Sequence, residues 1–377
     1  MKGKQGMVCM GLLLVLSSCH TGKQITASGL QRKDFHTEVN GQHTDLFTLS
    51  NKQGMEVCIT NYGARVVSIL VPDRNGKRED VVCGFSTITE YMEQRQNFGS
   101  TVGRYIGRIL NARFTLDGVE YKLVPNNGKS GHISHGGNPG FADRIWKVEQ
   151  ADTHRVRLSY LSPDGETGFP GNLKVTLVYS LGEDDNALDL TYEATTDAPT
   201  VLNLSHHSFF NISGNFTKSV EDQQLWVDAD RFTPYDDKKC VTGEYLPVAG
   251  TPLDFRMPHA IGECIDADHP QLKVVNGYDH TWELNTKGDD TRPAAWVYDP
   301  ASGRKMEIFT TEPGMQIYTG NGLKGKMTGK GRIAYPFRSA VCFETMHFQD
   351  SPNQPGFPST VLRPGEVFRS HTVYKFE

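Results

Sequence analysis

Long apolar runs are scarce in this 377-residue chain. Beyond a short one at residues 8–16, no stretch approaches eighteen consecutive apolar residues, which removes a spanning helix from the body. Blocks of like charge are equally absent. Lys and Arg number 39 against 44 Asp and Glu, a formal net charge of −5. Without clustered cations to displace phosphate counterions, a nucleic-acid groove is excluded. No two of the seven cysteines form a C-x-x-C pair, so a zinc ribbon or redox motif is not indicated. Repeats, low-complexity tracts and linkers are missing after about Gly29. What remains is an ordinary globular composition, 37% hydrophobic and 22% charged, with 38 Gly and 19 Pro to punctuate many short strands.

The N-terminus is of another kind. Lys2 and Lys4 precede the apolar run, which ends in Leu16-Ser17-Ser18-Cys19. Small residues before a cysteine resemble a bacterial lipoprotein cleavage box, and the run is too short for a mature spanning helix. The resemblance implies a signal peptide over residues 1–18, lipidation of Cys19, a short tether over 19–30 and a single domain over 31–377. An ordinary secretory signal cut nearby is the alternative. Either way the chain is expected to be exported, with a lipid anchor as its one membrane contact, in the periplasm or at the cell surface. Cys9 leaves with the signal. Cys58, Cys83, Cys240, Cys264 and Cys342 remain, an odd set that argues against a disulfide framework, with Cys58, Cys83 and Cys342 expected as buried apolar residues.

Alternation dominates the body. Leu173, Val175, Leu177, Tyr179 and Leu181 interleave with polar neighbours, and Leu188, Leu190, Tyr192 and Ala194 repeat the pattern beyond a turn at residues 182–186. Successive strand side chains point to opposite faces, so this predicts a hairpin with one wet and one buried side. Phe114, Leu116, Val119, Tyr121 and Leu123 make another around Asp117-Gly118, a pair suited to positive φ. Val156, Leu158 and Tyr160 add a strand. The clearest helical signal is residues 86–96, where Thr87 and Glu90 have capping-box spacing. The fold class is therefore all-β, one large antiparallel domain with few short helices.

Chemistry concentrates in His-, Asn- and Gly-rich segments between strands. His206 and His207 are neighbours, so on a strand at most one faces a pocket. His135 is followed by Gly136-Gly137, which permit close approach to its ring. Asp279 and His280 adjoin in a third segment. Glu344, set in the apolar run Val341-Cys342-Phe343, is the sharpest anomaly, because a buried carboxylate is costly unless paired. Other motifs are set aside. His135-Gly136-Gly137 looks like a lipase oxyanion loop, but no G-x-S-x-G occurs. Residues 320–326 read G-x-x-x-x-G-K, yet Met327 follows where a phosphate loop needs Ser or Thr. His132 and His135 have no evident third ligand, so no metal is assigned.

Taken in order, several strings resemble aldose 1-epimerases, also called galactose mutarotases. They are Asn61-Tyr62-Gly63-Ala64, Val102-Gly103-Arg104-Tyr105, Arg108-Ile109, His135-Gly136-Gly137 with Gly140-Phe141, and residues 162–171. The series continues with residues 203–211 and 250–255, Gly277-Tyr278-Asp279-His280, residues 311–316 and Phe343-Glu344-Thr345. The resemblance runs from about residue 34 onward and implies a β-supersandwich that interconverts sugar anomers by opening and closing the ring. It also implies Glu344 as the base for the anomeric hydroxyl, His207, near its natural pKa, as the acid for the ring oxygen on the other side of the sugar, and His135 as a polarising partner. Arg108, Asp279 and Gln316 would hold sugar hydroxyls. No cofactor is implied, the partner is a free monosaccharide, and a monomer is expected. Three positions depart from the pattern: Gly107 and His206 stand where Asn is usual, and Met346 where Gln is common. A non-catalytic sugar-binding protein and a glycosidase using Asp279 and Glu344 are the rivals.

Overall fold

The computed structural model describes residues 25–377, and the signal segment and Cys19 lie outside them. The alternating runs form strands as expected. Leu173–Leu181 pairs with Ala187–Thr196, Arg155–Ser162 lies on its other side, and Arg113–Leu116 pairs with Val119–Lys122 across Asp117 and Gly118, both at positive φ. The expected helix spans Ile88–Gln94, with Thr87 as N-cap and Glu90 completing a capping box. Pro270–Val275 is a second short helix that apolar periodicity did not reveal. Among the described residues no helix is long and apolar enough to cross a membrane.

Two large antiparallel sheets and a smaller one share the main core. The nine-stranded sheet runs in the order Lys147–Ala151, Arg155–Ser162, Leu173–Leu181, Ala187–Thr196, Phe368–Phe376, Lys305–Thr310, Ala295–Tyr298, Gln224–Val227, His259–Ala260. The six-stranded sheet runs Phe209–Phe210, Val341–Met346, Gly314–Tyr318, Asp279–Glu283, Arg231–Thr233, Leu246–Pro247. Leu46–Ser50, Glu56–Thr60, Arg65–Pro72 and Arg78–Asp80 form the four-stranded sheet. Leu177, Leu190, Ile308 and Tyr374 of the first meet Trp282, Met315, Ile317 and Phe343 of the second in one apolar cluster. Each such side chain withdrawn from water contributes about 1.5–3 kcal/mol. Tyr374 also donates to the Phe343 carbonyl at 3.0 Å, fastening one sheet to the other.

The period of two in the six-stranded sheet decides where the polar groups go. Val341, Phe343, Met315, Ile317, His280 and Trp282 turn inward. Their neighbours Cys342, Glu344, Gln316, Tyr318, Asp279 and Thr281 take the opposite face. Antiparallel register then sets Gln316 opposite both Glu344 and Thr281, and Tyr318 opposite Cys342 and Asp279. The sheet thus gathers its polar residues on one face.

Residues 25–30, expected at the end of a tether, instead dock on the body. Leu30 is buried, and the backbone amides of Ala27 and Ser28 donate to the Glu56 carboxylate at 3.0 and 3.2 Å. All five described cysteines are free thiols. Cys58 and Cys342 are buried within strands, while Cys83 is buried beside an isolated bridge at Val82.

Arg65 is fully buried and links this framework to the polar face. Its guanidinium donates to the carbonyls of Gln96 (2.7 Å), Phe98 (3.0 Å) and Ala142 (2.7 Å), with Tyr91 stacked 5.0 Å away. The segment it holds continues to Gly99, whose amide donates to the His207 carbonyl. Replacing Arg65 by Met leaves three carbonyls, two of them buried, without this donor. The expected cost is about 3–5 kcal/mol, read as a lower urea midpoint at unchanged slope.

Candidate active site

The polar face of the six-stranded sheet closes one side of a cleft of about 250 Å³. Its other walls come from short strands and turns. Ser205–His207 pairs with Ser100–Val102, which sets His207 opposite Ser100, and Arg108 pairs with Ser134, which delivers His135 on the next residue. His135 sits at φ +54°, and its amide donates to the Gly107 carbonyl. The following Gly136 must be glycine. It lies at φ +77°, and a Cβ there would come within 1.9 Å of the Gly103 carbonyl oxygen. Glu344, His207, His135, Arg108, Asp279 and Gln316, six positions separated by up to 236 residues of chain, therefore line one cleft.

Glu344 and His207 touch. Oε1 of the carboxyl lies 3.3 Å from Nε2 of the imidazole, both side chains almost completely buried. Burial pushes Glu344 well above the usual carboxylate range. Asp279 adds to the rise, and the Arg108 cation opposes it. Burial also pushes His207 well below its ordinary value, with His135 adding to the shift. This corrects the expectation of a near-natural His207: the ring is sealed between Phe209, stacked at 5.1 Å, and His135, edge-on at 5.4 Å. Both directions favour the neutral forms, the carboxylic acid and the uncharged imidazole. Glu344 faces Nε2 of the ring, and the Cys342 sulfur faces its other nitrogen, Nδ1, 3.6 Å away. The acid and the base expected on opposite sides of a sugar are direct neighbours.

The remaining residues form a charged and amide-rich floor. His135 is lowered to about 4 by burial and by Arg108, so it is neutral in the working range. Arg108 lies over the Tyr235 ring, its carbon 6.0 Å from the centroid. Burial opposes its charge, but Tyr235 and Asp279 outweigh that and hold it raised. Asp279 is raised by burial despite Arg108 and Gln316. Gln316, expected to reach for a sugar hydroxyl, donates to Asp279 Oδ1 at 2.6 Å and accepts from Thr281 and Gln349. It fixes its neighbour's carboxylate. Sequence reasoning missed Tyr235, Gln349 and Tyr318. None belongs to a motif; register and packing bring Tyr318 and Gln349 to the cleft and set the Tyr235 hydroxyl against the Gln316 and Gln349 amides.

Two earlier candidates go elsewhere. The His132 ring accepts from the Asn111 amide at 2.9 Å and meets Cys240 Sγ at 3.1 Å, so it does not pair with His135. His206 faces away from His207, toward Ser208 (2.6 Å), Tyr179 and Tyr374. Among the described residues, His207, Cys342 and Glu344 bring donor atoms within 4.8 Å of one another. Cys342 and Glu344 approach different nitrogens of one ring, an arrangement that suits hydrogen bonding better than a shared ion.

A family model described as aldose 1-epimerase matches residues 45–375. The chain is 40% identical over 331 residues to a galactose mutarotase from Bos taurus, spanning 88% of this chain and 93% of that one. It is 36% identical over 339 residues to an aldose 1-epimerase from Escherichia coli K12, spanning 89% and 96%. Among solved structures it is similar to an aldose epimerase homologue from C. elegans, with TM-score 0.81, 30% identity and coverage of 89% and 99%. A galactose 1-epimerase from Lactobacillus acidophilus gives TM-score 0.78 at 28% identity, covering 91% and 97%.

The raised Glu344 carries a consequence for stability. Because its folded-state pKa exceeds the unfolded value of about 4.3, its stabilisation is complete below that value and is lost as pH rises toward the folded one. Glu344→Gln keeps a neutral amide there at every pH. The variant is expected to gain stability over the wild type more at pH 9 than at pH 5, measured as the difference in urea midpoints; a pH-independent gap would contradict the assignment.

Proposed function

The chain belongs to the aldose 1-epimerase family and interconverts the α and β anomers of free aldoses, and we propose that Glu344 and His207 carry the two proton transfers of this reaction. Ring opening removes the proton from the anomeric hydroxyl and delivers one to the ring oxygen. Rotation about C1–C2 and closure on the other face reverse both transfers. The two oxygens are bonded to the same carbon, so acid and base must stand side by side, and the 3.3 Å contact between Glu344 and His207 is the observation that carries this reading.

The resting proton count is already correct. Passing the proton from Glu344 to Nε2 of His207 yields a carboxylate base and an imidazolium acid without drawing on solvent. Arg108, the one charge that lowers the Glu344 pKa, supports that transfer, and sugar hydroxyls donating to the carboxylate support it further. Neutral His135 offers a hydrogen bond to the ring oxygen and the nascent carbonyl. Arg108 and Asp279 bind hydroxyls through charge-assisted hydrogen bonds, with Gln316 holding Asp279 in place. The substrate is a free monosaccharide, and the chain acts as a monomer. A binding protein of the same fold has no use for a buried carboxyl set against a buried imidazole, which favours the enzyme.

We further propose export as a lipoprotein, cleaved before Cys19 and held at a membrane by the lipid on that residue. Support comes from Lys2 and Lys4, the apolar residues 8–16 and the small residues before Cys19. An enzyme so placed equilibrates anomers released by glycan breakdown outside the cell.

Two measurements test these readings. In polarimetry on fresh α-glucose and α-galactose, Glu344→Gln is expected to lower the enzymatic acceleration by about 10²- to 10⁴-fold while the protein remains folded. Near-wild-type rates would remove the base. Cys19→Ala is expected to move the protein from the membrane fraction to the soluble exported fraction, and unchanged fractionation would remove the anchor.

A further inference from the structure

Gly107 immediately precedes Arg108 and lies at φ +76°, within the wall of the cleft. A Cβ on this residue would come within 2.5 Å of Cγ, 2.9 Å of Cδ and 3.2 Å of Oε1 of Gln349. The Gln349 side chain therefore fills the volume that a side chain at 107 would need. It is buried from bulk solvent and yet lines the cleft.

Both ends of its amide are engaged along the floor. Oε1 accepts from the Arg108 amide at 3.2 Å, and Nε2 donates to the Tyr235 hydroxyl at 2.7 Å and to Gln316 Oε1 at 3.2 Å. Gln316 Oε1, receiving from Gln349 and Thr281, can only turn its own Nε2 outward, and that nitrogen reaches Asp279. The orientation of the Asp279 carboxylate is thus fixed by a chain of amides beginning at Gln349. The segment carrying Gln349 is itself immobilised, since the next residue, Asp350, donates its amide to the Arg108 carbonyl and accepts from the Leu110 amide, each at 2.9 Å. One lone pair of Gln349 Oε1 stays free.

We propose that Gln349 is a sugar-positioning residue of this cleft, admitted by the missing side chain at Gly107, and that the pair sets which aldoses are accepted. It acts through Gln316 on Asp279, and its free carbonyl lone pair accepts from a sugar hydroxyl. The inference rests on the anomerisation reading above and adds a determinant to it.

The test is a double-variant cycle in the full chain, with kcat and KM measured on glucose and on galactose, mannose and xylose, each of which differs from glucose at a single carbon. Gln349→Ala is expected to raise KM about tenfold with kcat within about twofold, unequally among the four sugars. Gly107→Asn, a residue that tolerates positive φ, is expected to lose more, because its side chain overlaps Gln349. Combining the two should recover at least about tenfold of that loss, the mark of direct coupling. Unchanged KM values in Gln349→Ala, or a double variant equal to the product of the singles, would overturn the inference while leaving anomerisation intact. A wild-type chain inactive on all four sugars would overturn both.

Discussion

A carboxyl and an imidazole, 3.3 Å apart and cut off from water, are the constraint around which this molecule is arranged. Burial disfavours the charged form of each, raising the carboxyl and lowering the imidazole. Charge separation requires a nearby cation and a hydroxyl-rich guest. On the function proposed above, Arg108 supplies the first permanently and a sugar supplies the second only while bound, which would couple the reactive state to occupancy of the cleft. Burial, elsewhere a source of stability, is here the means of holding two groups away from their ordinary protonation.

Such an arrangement demands accurate placement, and the sheet register provides it. Glu344, Gln316 and Asp279 stand on three adjacent strands whose alternate residues are anchored in the main apolar core. A slip of one residue in any strand would exchange a core side chain for a polar one, so the packing that stabilises the sandwich also polices the cleft. The opposite wall is held differently. His207 and His135 sit on short strands and turns, fixed by Arg65 through the carbonyls of residues 96 and 98 and by the close backbone approach at Gly136.

The architecture was largely legible in the sequence because its signals are local. Alternation at residues 173–194, the Asp117-Gly118 turn and the Thr87–Glu90 box each depend on near neighbours, and each is found as read. The short helix Pro270–Val275 escaped because six residues are too few for periodicity. The docking of residues 25–30 escaped because its main partner, Glu56, is distant in sequence. At the site, residue identities came from family strings, whereas protonation did not. Nothing in residues 203–211 indicates that His207 would be sealed between Phe209 and His135, and nothing in the lone Gln349 indicates that it fills the space beside Gly107.

The strand Phe368–Phe376 occupies the middle of the nine-stranded sheet, between Ala187–Thr196 and Lys305–Thr310. The two flanks of the sheet come from separate stretches of chain and meet only through this late segment. Completing the sheet therefore requires pairing Ala187–Thr196 with a strand almost two hundred residues later in the chain. Truncation before residue 368 would split the sandwich through its centre instead of trimming an edge, and slow, cooperative assembly follows from that placement.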